Sequence, residues 1–408
     1  MTATTTASST RNAPAQPHRG AAPAYTPAKR AVPVFALTAL LATGQMYTPI
    51  PMFSAMEASW DAGLGAMTWI ISAFAFGYAG GFLLFGPMAD RFGQKRVLVT
   101  GLIAAGVVTL LTGLAPTLAV ALPLRVLQGL AVGSIPPAMM TYAATRVEPA
   151  RRAVAVTTVV TSFLAATVIA QLASQTVIRF ADWRWVFAGS AILFGLVALA
   201  ASRVMLPDRL SGEANLLRSY AAIPRVLRIK PLLPMLIAAS LAMAAMVAVY
   251  TGIELTGIVE GAGGLLALRA SALPVMIAMP LIAIPLSRIA LPNQIVLGSV
   301  VAALAMVAAA LAGGHVVAIA ILLAILIGGI AVVAPATNQI AAENGGEHRA
   351  AASSVAMFSF YVGATVGPLV AQAAAGHGFP VLAVTLAVML LIAAGLSLWG
   401  KRIQTPRD

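Results

Sequence analysis

Apolar stretches of about 20 or more residues, separated by short polar joints, account for most of this chain. They lie at about 33–54, 66–89, 97–115, 118–144, 153–178 and 185–206, then at about 232–254, 263–286, 293–312, 315–340, 350–374 and 379–399. A helix that crosses a bilayer needs about 20 mostly apolar residues, so the pattern predicts twelve transmembrane helices. Residues 1–30 are Thr, Ala, Ser and Pro with a few basic side chains, and they lack the apolar centre of a signal peptide. They are expected to form a disordered cytoplasmic tail. A charged connection at 207–230 divides the runs into two sets of six, residues 31–206 and 231–400, and 401–408 form a second tail. The expected fold is all-α and integral to the membrane, with two six-helix bundles.

Composition agrees with that pattern. Of 408 residues, 60% are hydrophobic and 9% charged, against roughly a quarter charged in soluble domains. The net charge of +13 raises the question of nucleic acid, but the basic residues sit in short clusters between apolar runs. With the amino-terminal tail placed inside, the inner loops hold Arg91, Lys95, Arg96, Arg146, Arg151, Arg152, Arg203, Arg209, Arg218, Arg225, Arg228, Lys230, Arg288 and Arg349. The outer loops hold only Arg179 and Arg184, beside Glu57, Asp61, Asp182 and Glu260. This asymmetry follows the positive-inside rule, with both termini cytoplasmic. No basic face interleaved with aromatics appears, so no nucleic-acid partner is expected.

An internal repeat supports the division into halves. A shift of about 197 positions places Arg91 on Arg288, Gly101 on Gly298, Ser162 on Ser359, Phe163 on Phe360, Leu172 on Leu369 and Gln175 on Gln372. Two similar bundles imply a solute path along their interface, with access alternating by rocking.

The sharpest local signal is GPMADRFGQKRVL, Gly86 to Leu98, between the second and third runs. Gly86 allows close backbone approach and Gly93 a tight turn. Asp90 is suited to satisfying orphan amides at a helix start and to pairing with a cation. Lys95 and Arg96 anchor the loop at the inner face. The segment resembles the loop signature of the major facilitator superfamily, Gly-x-x-x-Asp-Arg-x-Gly-Arg-Lys. Gly86, Asp90, Arg91, Gly93 and Lys95 fit it and Arg96 extends its basic end, whereas Gln94 stands where Arg is usual. LSRIALPNQ, Leu286 to Gln294, sits where a weaker copy is expected. The resemblance covers about residues 33–400, and it implies that the loop gates rather than touches substrate.

In the fourth run, RVLQGLAVG (Arg125 to Gly133) resembles the family's Arg-x-x-Gln-Gly motif of proton-driven exporters, through Arg125, Gln128 and Gly129. An arginine at the centre of a membrane helix costs about 2.5–3.5 kcal/mol on insertion scales, so it should face a cavity or a partner; snorkelling to the outer headgroups is the structural alternative. The fifth run lacks the Gly-Pro-x-x-Gly-Gly stretch of the family's antiporters and has Ala170, Gln171, Ser174 and Gln175 instead, while the eleventh keeps Gly363, Gly367 and Pro368. Gln171 and Gln175 serve either as substrate-facing donors or as glue between helices.

Proton coupling needs a titratable group within a spanning region. Glu254, at the outer end of the seventh run, is the plausible carboxylate, and Arg269 in the eighth is placed to pair with it. That pair acts as a switch or stands as a static ion pair. Polar or aromatic residues inside aliphatic runs complete the candidate cavity: Gln45, Tyr47, Trp69, Gln128, Gln171, Gln175, Tyr250, Asn338, Gln339, Phe358 and Tyr361.

Other chemistry finds little support. There is no cysteine, no phosphate-binding loop and no cluster of histidines, so no metal, cofactor or ATP-driven step is expected. Nor is there a nucleophile–base pair or paired carboxylates for an enzyme. The expectation is a monomeric secondary transporter of a bacterial inner membrane, coupled to protons and exporting small, moderately hydrophobic compounds such as drugs. An importer or facilitator of a small, anionic metabolite is the alternative, and a non-transporting sensor a remote one.

Overall fold

The computed structural model describes residues 25–208, 216–259, 262–286, 288–312 and 314–404. The expected tails at 1–24 and 405–408 and part of the charged connection, 209–215, therefore lie outside the described residues.

Each of the twelve apolar runs is helical. The first comprises α1 (Ala28–Tyr47), a 3-10 turn and α2 (Phe53–Trp60). Then come α3 (Thr68–Phe92), α4 (Gln94–Gly113), α5 (Leu118–Gly133) with α6 (Ile135–Arg146), α7 (Arg152–Val177) and α8 (Arg184–Val204). The connection carries α9 (Leu216–Ala221) and α10 (Ile223–Leu227). Beyond it lie α11 (Leu232–Thr256), α12 (Ala262–Ala270), α13 (Leu273–Leu286), α14 (Leu291–Leu311), α15 (Val316–Gly345), α16 (Arg349–Ala375) and α17 (Phe379–Gln404). Among the described residues, nine spans are long and apolar enough to cross a membrane singly, and eleven if each of two bent pairs counts as one.

The eighth run departs from expectation: it breaks at Ser271–Ala272 into α12 and α13. Proline explains this break and two others. A proline has no N–H to continue the ladder, and its ring meets the carbonyl four residues earlier. Ala270 ends α12 four residues before Pro274, Tyr47 ends α1 four before Pro51, and Gly133 ends α5 four before Pro137. The bend between α1 and the 50–60 segment is 43°.

Helices before the connection pack chiefly among themselves, as do those after it; the seams between the two groups are α3 against α16 and α7 against α12 and α13. Glycine sets the closest approaches. Gly81 on α3 faces Gly133 on α5, where a Cβ on Gly81 would lie 2.6 Å from the Gly133 Cα, while Gly77 abuts the Val126 backbone and Gly129 that of Phe74. Gly298 and Gly329 repeat the device between α14 and α15. Where lipid-like surroundings supply little hydrophobic drive between helices, such small-residue contacts carry association. Outward-facing Phe76, Ile103, Leu193, Leu304, Ile321 and Leu391 are exposed, as a surface meant for hydrocarbon requires.

Hydrogen bonds define the two ends of the bundle. At one, Thr26 pairs with Tyr142, Arg146 reaches Pro207 O, Lys95 reaches Met205 O, and Lys401 reaches Asn293. Both described chain ends lie there, and we call it the terminus end. At the far end Trp60 donates to Ala115 O and Trp183 to Ser59, with Trp60 and Trp183 edge to face at 5.1 Å. Arg184, a basic residue expected in an outer loop, lies 3.6 Å from Asp182 and stacks over Trp183.

Candidate functional site

The loop between α3 and α4 turns at Gly93, whose φ of +98° favours glycine. The first amides of α4 need acceptors. Asp208, from the segment after α8, supplies them: its two carboxylate oxygens accept from Lys95 N at 2.9 Å and Arg96 N at 3.0 Å. A side chain at Gly93 would overlap that carboxylate. Asp90, expected in the capping role, is exposed, and none of these bonds involves it. Arg91 lies over Phe92 at 5.6 Å. Gly86 meets the other group, since a Cβ there would come 2.8 Å from Ser354 Oγ of α16. Tyr220 of α9 donates to Leu84 O at 2.6 Å, and burial holds its hydroxyl above the usual tyrosine range. The loop thus joins α3 and α4 to both the connection and the second group.

Arg125 is fully buried. Its Nε donates to Ile70 O at 3.0 Å, Nη1 to Gln128 Oε1 at 2.7 Å and Nη2 to Gln45 O at 3.0 Å, with the guanidinium over Phe74 at 4.5 Å. Gln128 in turn donates to Gln45 Oε1 and Thr109 Oγ1. The cation is therefore held by carbonyl and amide oxygens of α1, α3 and α5, and among the described residues no carboxylate faces it. Arg125, Gln128 and Gln45 form one cluster that ties α5 to α1, α3 and, through Thr109, α4.

Arg269 is different. It forms an ion pair with Glu254 of α11, and its Nη1 donates to Gln175 Oε1 of α7 at 2.6 Å. The Arg269 side chain is 2% exposed and that of Glu254 13%. One guanidinium thus bonds a carboxylate of its own helix group and an amide of the other.

Four tyrosines meet at the boundary between groups. Tyr47 faces Tyr250 at 6.3 Å between ring centroids, and Tyr78 faces Tyr361 at 4.5 Å, each pair having one member from each group. Tyr78 bonds Thr43 at 3.3 Å. The hydroxyls of Tyr47 and Tyr250 are buried without a partner among the described residues, as are Gln171 Oε1, Ser72 Oγ and Asn338 Oδ1. A buried polar atom left unpaired costs about 1–3 kcal/mol, so such atoms mark places where another group belongs. Half-buried Phe358 packs against the core. Trp69 faces outward at 48% exposure, and Gln339 bonds Glu343 along its own helix. A separate groove of about 490 Å³ runs along the terminus-end half of α7, lined by Thr157, Thr158, Thr161 and Ser162 with Leu40 of α1.

Sequence reasoning missed Asp208, Ser72 and the close packing of the α3 and α5 glycines, of which it had named Gly129 only as part of a motif. Only the glycines had a legible signal, the four-residue spacing of Gly77 and Gly81 and of Gly129 and Gly133.

Comparison with known proteins places this chain in a family. A model described as Major Facilitator Superfamily matches residues 35–368. The puromycin resistance protein pur8 of Streptomyces alboniger is 31% identical over 147 residues, 36% of this chain and 29% of the relative. A lincomycin resistance protein of Streptomyces lincolnensis is 28% identical over 219 residues, 49% of this chain and 44% of the relative. The chain thus matches less than half the length of either relative.

Proposed function

The chain belongs to the major facilitator superfamily, a family of transporters rather than enzymes, and from that premise we propose that it exports small, moderately hydrophobic compounds in exchange for protons. It is a multi-pass protein of the bacterial inner membrane. In this reading twelve spans form two six-helix bundles, 31–206 and 231–400, with both termini cytoplasmic, and a monomer works by alternating access. The antibiotic-resistance names of the two relatives support export as the direction and drugs as the substrate class.

The observation that carries the proposal is the position of Glu254. It is a carboxylate near the far end of a spanning helix, joined to an arginine that also holds the opposite group of helices. Protonating Glu254 removes half of the ion pair and frees Arg269 to exchange partners. A substrate that enters between Tyr47 and Tyr250 lies next to α11, the helix that carries Glu254. Proton and substrate then bias the same seam. Arg125 does not favour the anionic-metabolite alternative, because it is fully buried and three of its five N–H groups, one on each nitrogen, already bond oxygens of three helices.

Substrate-induced proton release tests the assignment. Purified protein in weakly buffered solution is expected to release protons when a transported compound binds. Glu254→Gln, which keeps the shape and removes the charge, is expected to bind without release. Equal release by both proteins would assign coupling to another group, and no release by the wild type would refute exchange for protons.

A further inference from the structure

The internal repeat pairs Gln175 with Gln372, about 197 positions apart, and the structure puts both to the same use. They sit near the far ends of α7 and α16, and each bonds the opposite group of helices. Gln175 Oε1 accepts from Arg269 Nη1 at 2.6 Å, and Gln372 Oε1 lies 2.9 Å from Thr68 Oγ1 of α3, whose single proton it shares with Gly65 O at 2.7 Å. Gln372 also dictates its neighbour: a Cβ on Gly65 would lie 2.8 Å from the Gln372 Nε2. The α7–α12 and α16–α3 seams are thus closed by equivalent residues of the two halves. The bonds are unequal, however. Gln175 and Arg269 are buried and the bond is charge-assisted, whereas Gln372 is exposed and its bond joins neutral groups.

We propose that Gln175 and Gln372 are paired latches that hold the far end of the two helix groups shut, and that opening this end breaks both. The inference rests on the alternating-access reading. Two rigid groups that rock about a common axis must part at both seams of one end together. A bond made only when that end is closed shifts the population by its full strength. The charged latch should therefore dominate, because hydrogen bonds to charged groups contribute more than neutral ones.

The absence of cysteine allows a direct test. Ser72 lies one turn inward from Thr68 on α3 and is 2% exposed, so Ser72→Cys is a single reporter sealed beneath the latch. Its maleimide labelling rate would be measured in nanodiscs, alone and combined with Gln175→Leu or Gln372→Leu. Labelling is expected to accelerate about tenfold or more with Gln175→Leu and about threefold with Gln372→Leu. Thr68→Val removes the other partner of the Gln372 bond; it should reproduce the Gln372→Leu effect and not add to it. Unchanged labelling in both glutamine variants would overturn the proposal, as would full additivity of Thr68→Val and Gln372→Leu. Should Gln175→Leu fail to fold, Gln372→Leu and Thr68→Val still decide the question. Faster labelling in a protein that moves no solute would refute the transport reading and leave the latches standing.

Discussion

Replacing Gly129 by alanine adds one methyl group where α5 meets α3. The new Cβ would lie 2.8 Å from Tyr78 N and 2.9 Å from the Phe74 carbonyl carbon, and would overlap the Phe74 oxygen. These are backbone atoms of a helix, so no rotamer change relieves the clash and the two helices must separate. Overpacking of this kind costs typically 1–3 kcal/mol. Separation also strains the Arg125 clamp, because Arg125 rides on α5 and its acceptor Ile70 O on α3. Gly189→Ala in α8 is the matched control. Nothing lies within 4 Å of the Cβ it would add, so the ordinary helix preference for alanine applies, about 0.5–1 kcal/mol in its favour. Thermal unfolding followed by tryptophan fluorescence in one detergent should place Gly129→Ala several degrees below wild type and Gly189→Ala at or above it. A Gly129→Ala protein as stable as wild type would refute the claim that these glycines set the helix spacing.

Further outcomes follow from single side chains. Tyr47→Phe and Tyr250→Phe remove buried hydroxyls that have no partner among the described residues, so stability should hold or rise while substrate binding weakens by about threefold to tenfold, the worth of one hydrogen bond. Tyr78→Phe, whose hydroxyl is bonded to Thr43, should lose stability instead; calorimetric titration beside melting curves separates the cases. Asp208→Ala removes the acceptor for two amides at the start of α4 and should cost about 1 kcal/mol, read as a lower melting midpoint and faster proteolysis of the 207–230 connection.

The helical runs were legible because apolar length is a local property. The break in the eighth run was not, since hydropathy passes smoothly through Ser271 and Ala272 and only the offset of Pro274 from Ala270 betrays it. Arg125 shows a second limit. Its place inside a spanning run demanded partners, and Gln128 of the same motif is one, but the others are the carbonyls of Ile70 and Gln45, and any residue type presents a carbonyl. The helix-start amides of α4 were matched in sequence to nearby Asp90, whereas the cap comes from Asp208, more than 100 residues away. The pairing of Glu254 with Arg269 was readable because both are charges stranded in apolar runs. Its third member, Gln175, left open as donor or glue, became specific only when the two helix groups were brought together.

Proteoliposomes that enclose a pH-sensitive dye offer the most direct test of coupled export. Candidate antibiotics and metabolites would be presented with and without an imposed pH gradient, using wild type and Glu254→Gln. Solute movement accompanied by opposite proton movement, lost in Glu254→Gln, is the expected result. Solute movement with no proton flux in the wild type would contradict exchange and make the protein a facilitator.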